Sequence, residues 1–208
     1  MRLLTLACFV VVGCAAARRA PAQDRMPPIP ADKLTQAQRA AVSEFEAARS
    51  AALSGPFVPL LRSPEVMSRA RAMGDYLRFK STLPPRLSEF TILLAARHWT
   101  QQYEWNVHEP LARKAGLHPD VITAVAEGRR PATMSDDEEA LYALIEAVQA
   151  NRGVDDATYG RAVARFGEPG VIDAIGITGY YSMLAMVMNT ARTALPEGMR
   201  PVLAPLPR

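Results

Sequence analysis

The sequence predicts an all-α fold, a compact helical bundle. Three observations carry that expectation. Helix start and stop signals recur along the chain, no segment alternates polar and apolar residues with the period of a strand, and the joints between helical patterns are short.

The first helix opens at Thr35, with Gln38 three residues on as a capping box, and runs on Ala and Glu to about Leu53. Ser54-Gly55-Pro56 stops it. Ser63-Pro64-Glu65 then supplies a cap residue, a first-turn proline and an acid, opening a helix to about Phe79. Leu83-Pro84-Pro85 breaks the chain. A long helix is expected from about Arg86 to Ala115, ended by Gly116 and bent or interrupted at Pro110. Pro119 to Glu127 reads as a short helix stopped by Gly128. Ser135 with Glu138 is a second capping box and opens a helix to about Ala150. Asp155 to Phe166 is a further helix stopped by Gly167, and the last runs from about Pro169 to Thr193. Val171 to Met188 is almost wholly apolar, so a membrane span competes with a buried core helix. Asp173, Gly176, Thr178, Gly179, Asn189 and Arg192 favour the core. Tyr180 and Tyr181 on it read either as cavity lining or as core aromatics.

The 208 residues allow one ordinary domain or two small ones, and 49% hydrophobic content excludes a disordered chain. Net charge is +3, and Arg2, Arg18 and Arg19 precede residue 23 while no acid does, so the remaining body is neutral. The basic balance is therefore no argument for nucleic acid as a partner. The two cysteines, Cys8 and Cys14, also lie in this leader, which leaves the body without disulfides, zinc-cysteine sites or a thiol nucleophile.

Arg2, the apolar run Leu3 to Val12 and the small residues after it form a signal-peptide pattern over residues 1–22. The run is shorter than the roughly 20 residues that span a bilayer. Ala20-Pro21-Ala22 fits ordinary signal peptidase, whereas Val11-Val12-Gly13-Cys14 resembles a lipobox that would leave a lipid on Cys14. Either reading exports the protein, as a periplasmic or secreted species or an anchored lipoprotein. Residues 23–33, with Pro27, Pro28 and Pro30, read as a tether, 34–198 as the helical domain and 199–208 as a tail.

Chemistry is sought on the segment from Glu89 to His108. It starts as one of the most apolar helices in the chain and then acquires Arg97, Gln101, Glu104 and His108, spaced by 4, 3 and 4 residues. At about 3.6 residues per turn these share one face of a continuous helix. A solvated face with routine ion pairs is one reading. The other is an enclosed face, where burying Arg, Glu and His together is costly unless they pair or serve a ligand. Trp99, Tyr103 and Trp105 fit a pocket wall or plain packing. On the enclosed reading Glu104 and His108 share a proton, and Arg97 holds a substrate carboxylate through a bidentate fork.

The run from about Gly55 to Leu117, about a third of the chain, resembles the carboxymuconolactone decarboxylase family, which includes alkylhydroperoxidase D-type proteins. Redox members carry a Glu, a Cys-x-x-Cys beginning twelve residues later, and a His four residues after the second Cys. Glu89 and His108 match the Glu and the His. Gln101 and Glu104 stand at the two Cys positions, and Tyr103 where redox members have a further His. The segment Gly170–Arg192 is similar to a later helix of the family.

Thiol peroxidase chemistry needs a thiolate and a resolving thiol, and Gln101 and Glu104 supply neither. The resemblance to the decarboxylase branch implies a cofactor-free site working by proton transfer on a small carboxylated lactone or keto acid. The catalytic residues expected are His108, Glu104 and Glu89, with Arg97, Gln101 and Tyr103 binding substrate and no metal or cofactor. A metal on Glu89, Glu104 and His108 is a minor alternative. The resemblance also implies a trimer or hexamer. A non-catalytic oligomer, binding a small molecule or serving as a scaffold, is the competing class.

Overall fold

The computed structural model describes residues 23–205. Residues 1–22, read above as a signal peptide, lie outside the described residues together with Cys8 and Cys14. Eight α-helices and no strand are found among them: α1 (Gln36–Arg49), α2 (Phe57–Leu60), α3 (Pro64–Phe79), α4 (Pro85–His98), α5 (Gln102–Lys114), α6 (Pro119–Ala126), α7 (Asp136–Asn151) and α8 (Asp156–Ala191). The all-α expectation is met.

Both capping boxes form. Thr35 and Gln38 exchange bonds of 2.9 and 3.2 Å, and Ser135 and Glu138 bonds of 2.8 and 3.3 Å. Ser63, by contrast, makes no side-chain cap, so α3 starts on its first-turn proline alone. Helix α1 ends at Arg49, short of Leu53, because Ser50 turns left-handed at φ 50°. The four-residue α2 has no signal in the sequence.

The long helix expected over 86–115 is two helices, and the break is not at Pro110. It falls at Trp99–Gln101, where Thr100 is left-handed at φ 49° and Gln101 is extended. The turn is held by Gln101 N–H donating to Ala96 O at 2.8 Å and Thr100 N–H to Arg97 O at 3.0 Å. Pro110 lies within an unbroken α5. Helix α8 is kinked at Gly167 (φ 64°, ψ 169°), as the Gly167-Pro169 signal requires.

Helix α4 is the hub and packs against α5, α6, α7 and α8. Its apolar residues Leu87, Phe90, Ile92, Leu93 and Ala95 are buried on all sides. Each large side chain of this kind contributes about 1.5–3 kcal/mol through removal from water. By length and composition α8 could cross a membrane. In the bundle α8 packs on α3, α4 and α7, and its second half buries Ala174, Ile177, Leu184 and Met188. Asp173 accepts bonds from Thr82 N–H at 2.7 Å and Thr82 Oγ1 at 2.9 Å, tying α8 to the α3–α4 turn.

The segments read as tether and tail both lie on the bundle. Arg25 N–H donates to Ala191 O at 2.7 Å, and Gln102 binds the backbone of Val202 and Leu203. Prolines shorten the entropy loss on docking such segments, and Leu203 buries its side chain.

Candidate functional site

A cavity of about 620 Å³ lies between α1, the α1–α2 turn, α3, α5 and α8. Helix α5 supplies Tyr103, Glu104 and His108, α8 supplies Tyr180 and Tyr181, and α1 and α3 supply Arg49 and Arg78.

His108 is 4% exposed. Its Nδ1 lies 2.7 Å from Glu89 Oε2, reaching from α5 to α4. Burial pushes the imidazole below its ordinary pKa, and this outweighs the opposing pull of the Glu89 carboxylate; the positive charge of Arg78 lowers it further. A neutral ring whose Nδ1–H donates to Glu89 leaves Nε2 as an acceptor for the cavity. The Tyr181 ring meets the imidazole edge-on, with centroids 5.0 Å apart, and fixes its plane.

Glu104 is 2% exposed, and neither carboxylate oxygen has a hydrogen-bond partner among the described residues. Burial raises its pKa well above the ordinary carboxylate value. An ionised carboxylate without partners is costly in such a place, so the group is held as a neutral acid. Glu104 therefore does not tune His108 as the sequence suggested; Glu89 does, and Glu104 stands as a separate proton donor one turn away.

Two close approaches shape the walls. A Cβ at Gly74 would lie 2.2 Å from Tyr180 Oη, and one at Gly55 would lie 2.3 Å from the Tyr103 ring. Gly55 is also left-handed at φ 53°. Only glycine lets both tyrosines reach these positions. Burial raises the Tyr180 pKa to about 12, so its hydroxyl stays protonated near neutral pH.

The structure separates Arg97 and Gln101 from this cavity. Arg97 precedes the Thr100 break and lines a different, smaller pocket. A shared face needs one continuous helix, and the break at Thr100 turns Arg97 away from Glu104 and His108. Gln101 is structural. Its Oε1 accepts from Tyr103 N–H at 2.7 Å as the α5 N-cap, and its Nε2 donates to Asn189 Oδ1 at 2.8 Å. Both ends carry a bond within the fold, and Gln101 is not among the residues lining the cavity. Tyr103 does line the cavity, and Glu89 stands behind His108.

Three cations line the cavity, Arg49, Arg78 and the exposed Lys80, and the partly buried Arg78 is the one best placed for a substrate carboxylate. Arg49 is already bonded to Asp75 at 2.7 Å, whereas Arg78 forms no ion pair among the described residues and has a buried Nε without a partner. Nothing in the local sequence of α3 marks Arg78, since only the packing of α3 on α8 brings it to the site. No group of three or more His, Cys, Asp or Glu side chains among the described residues is arranged to hold a metal ion.

No protein-family model and no curated protein matches the sequence. Solved structures do. A peroxidase-related protein from Silicibacter sp. TM1040 aligns with a TM-score of 0.67 at 13% identity, covering 88% of this chain and 97% of that one. An alkylhydroperoxidase AhpD core, a peroxidase-related protein from Ralstonia eutropha JMP134, aligns at 0.63 and 19% identity over 85% and 91%. The fold is the alkylhydroperoxidase D-like fold. A third protein with this fold is a debrominase solved in complex with 2,3,4-tribromopyrrole, at 0.62 and 12% identity over 83% and 91%. These identities establish the alkylhydroperoxidase D-like architecture, and the activity has to be argued from the cavity.

Proposed function

We propose that the protein is a cofactor-free acid/base enzyme that decarboxylates, or carries out a related lyase or isomerase step on, a small carboxylated lactone or keto acid. The observation that carries this reading is the buried, unpartnered Glu104 carboxyl beside the Glu89-oriented His108 in one cavity. A ring of the size bound by the debrominase is the scale of substrate intended.

Arg78 holds the substrate carboxylate through the cavity mouth. Carbon dioxide leaves without the bonding electron pair, which flows into the adjacent carbonyl as an enolate. Glu104 donates its proton to that enolate, and His108 Nε2 relays a proton from water back to Glu104. In the isomerase variant Nε2 takes a carbon-bound proton beside the carbonyl while Glu104 hydrogen-bonds to its oxygen. Each positioned acid or base contributes about 10²–10⁴-fold. Tyr181 and Glu89 position the imidazole.

The test is turnover of a panel of keto acids and carboxylated lactones, followed by NMR of substrate and product. Wild type is expected to turn over at least one member, with Glu104→Gln and His108→Ala each lowering kcat by about 10²–10⁴-fold. Unchanged turnover in both variants ends the assignment. Saturable binding without turnover in wild type supports the non-catalytic binder instead.

We also propose that the protein is exported through residues 1–22 and assembles as a homo-oligomer, a trimer or hexamer. The sequence pattern of the leader supports the first. Exposed apolar residues on α8, with Ile172 at 67%, support the second.

A further inference from the structure

Arg97 is 5% exposed, and none of its guanidinium nitrogens has a hydrogen-bond partner among the described residues. Burial lowers its pKa, and no carboxylate among the described residues bonds to it. An arginine does not shed its proton in a protein, so a buried and uncompensated positive charge remains. It lines a pocket of about 120 Å³, several times the roughly 30 Å³ of one liquid water.

The other charged or polar groups of that pocket leave Arg97 unserved. Arg129 is bonded to Glu127, its Nε at 2.7 Å. Arg130, outside the lining, stands 5.1 Å over the ring of the lining residue Tyr142 and pairs with Glu139. Glu146 lines the pocket without bonding Arg97, and burial raises its pKa while His98 and Arg130 oppose the rise.

We propose that Arg97 anchors a second binding site, separate from the cavity of α5 and α8, for a small carboxylate or other planar oxyanion. The planar guanidinium offers parallel N–H donors, which matches a carboxylate's two oxygens. The pocket volume limits the ligand to a few heavy atoms. The anion neutralises the buried charge and satisfies the free donors, so binding stabilises the folded chain.

The experiment is thermal unfolding of the full chain in sodium acetate at constant ionic strength, for wild type and Arg97→Met. Wild-type Tm is expected to rise by about 3–6 °C at ten times the acetate dissociation constant, and Arg97→Met to lose the rise. Methionine removes a buried charge, a change often neutral or stabilising. Should that variant not fold, Glu146→Gln serves, since removing the nearby carboxylate is expected to tighten acetate binding. An equal acetate response in wild type and Arg97→Met, or no strengthening in Glu146→Gln, overturns the proposal. So does a wild type insensitive to acetate whose Arg97→Met variant elutes at lower mass, because a carboxylate of another copy then meets Arg97.

Discussion

Glu89 on α4 and His108 on α5 are 19 residues apart in sequence and meet at 2.7 Å through the His108 Nδ1. The contact decides which imidazole nitrogen faces the cavity. Glu89→Gln keeps an acceptor at this point and removes the charge. Since the carboxylate raises the imidazole pKa, its loss is expected to lower the protonation midpoint of His108 further. Nitrogen-15 NMR of the ring measures this, and a midpoint that stays put or rises contradicts the pairing.

Activity is expected to follow a bell-shaped pH profile. It rises as His108 loses its proton at a pH below the ordinary histidine value, and falls as Glu104 ionises well above the ordinary carboxylate value. Stability carries the same signs. Above the ordinary carboxylate range the folded state binds the Glu104 proton more tightly than the unfolded state, so stability falls as pH rises through that window. The His108 contribution is lost as pH falls below the ordinary histidine value. Glu104→Gln is expected to flatten this decline above the ordinary carboxylate range in a urea titration series, and an unaltered decline would place it elsewhere.

Gln101→Ala separates a cap from a substrate ligand. Loss of the N-cap bond and the Asn189 bridge is expected to cost about 0.5–2 kcal/mol in urea unfolding. KM is expected to stay within twofold of wild type, about the scatter of the assay. A large rise in KM with intact stability would restore Gln101 to the binding site.

That variant bears on how much was legible in advance. Capping boxes at Thr35 and Ser135, the Gly167-Pro169 kink and the lack of strand patterns were local signals, and the helices they mark are present. Helical spacing marks Glu104 and His108, and the family resemblance adds Glu89. Neither marks their pairing, because a helix face was extended across Thr100, whose left-handed turn leaves no strong mark in a threonine. Arg78, Tyr180 and Tyr181 reach the cavity through contacts between α3 and α8 about 100 residues apart, and such contacts have no local code.

Gly55→Ala tests the cavity wall. The left-handed backbone and the 2.3 Å approach to the Tyr103 ring are expected to cost about 1–3 kcal/mol of stability. The displaced ring should also weaken ligand binding. A variant as stable as wild type, with unchanged binding, would mean that Tyr103 does not close the site.

Ile172→Glu tests assembly, because the residue is 67% exposed on α8 and remote from the cavity lining. Wild type is expected to elute as a multimer at micromolar concentration and Ile172→Glu at lower mass. A monomeric wild type contradicts the proposed oligomer.

The proposed chemistry rests on a neutral carboxylic acid at position 104 beside a neutral, oriented imidazole. Carbon-13 NMR of the Glu104 side-chain carboxyl, assigned by its loss in Glu104→Gln, measures it directly. The carboxyl is expected to remain protonated at neutral pH. A signal already ionised there, titrating with the exposed glutamates, would mean that Glu104 is not the proton donor.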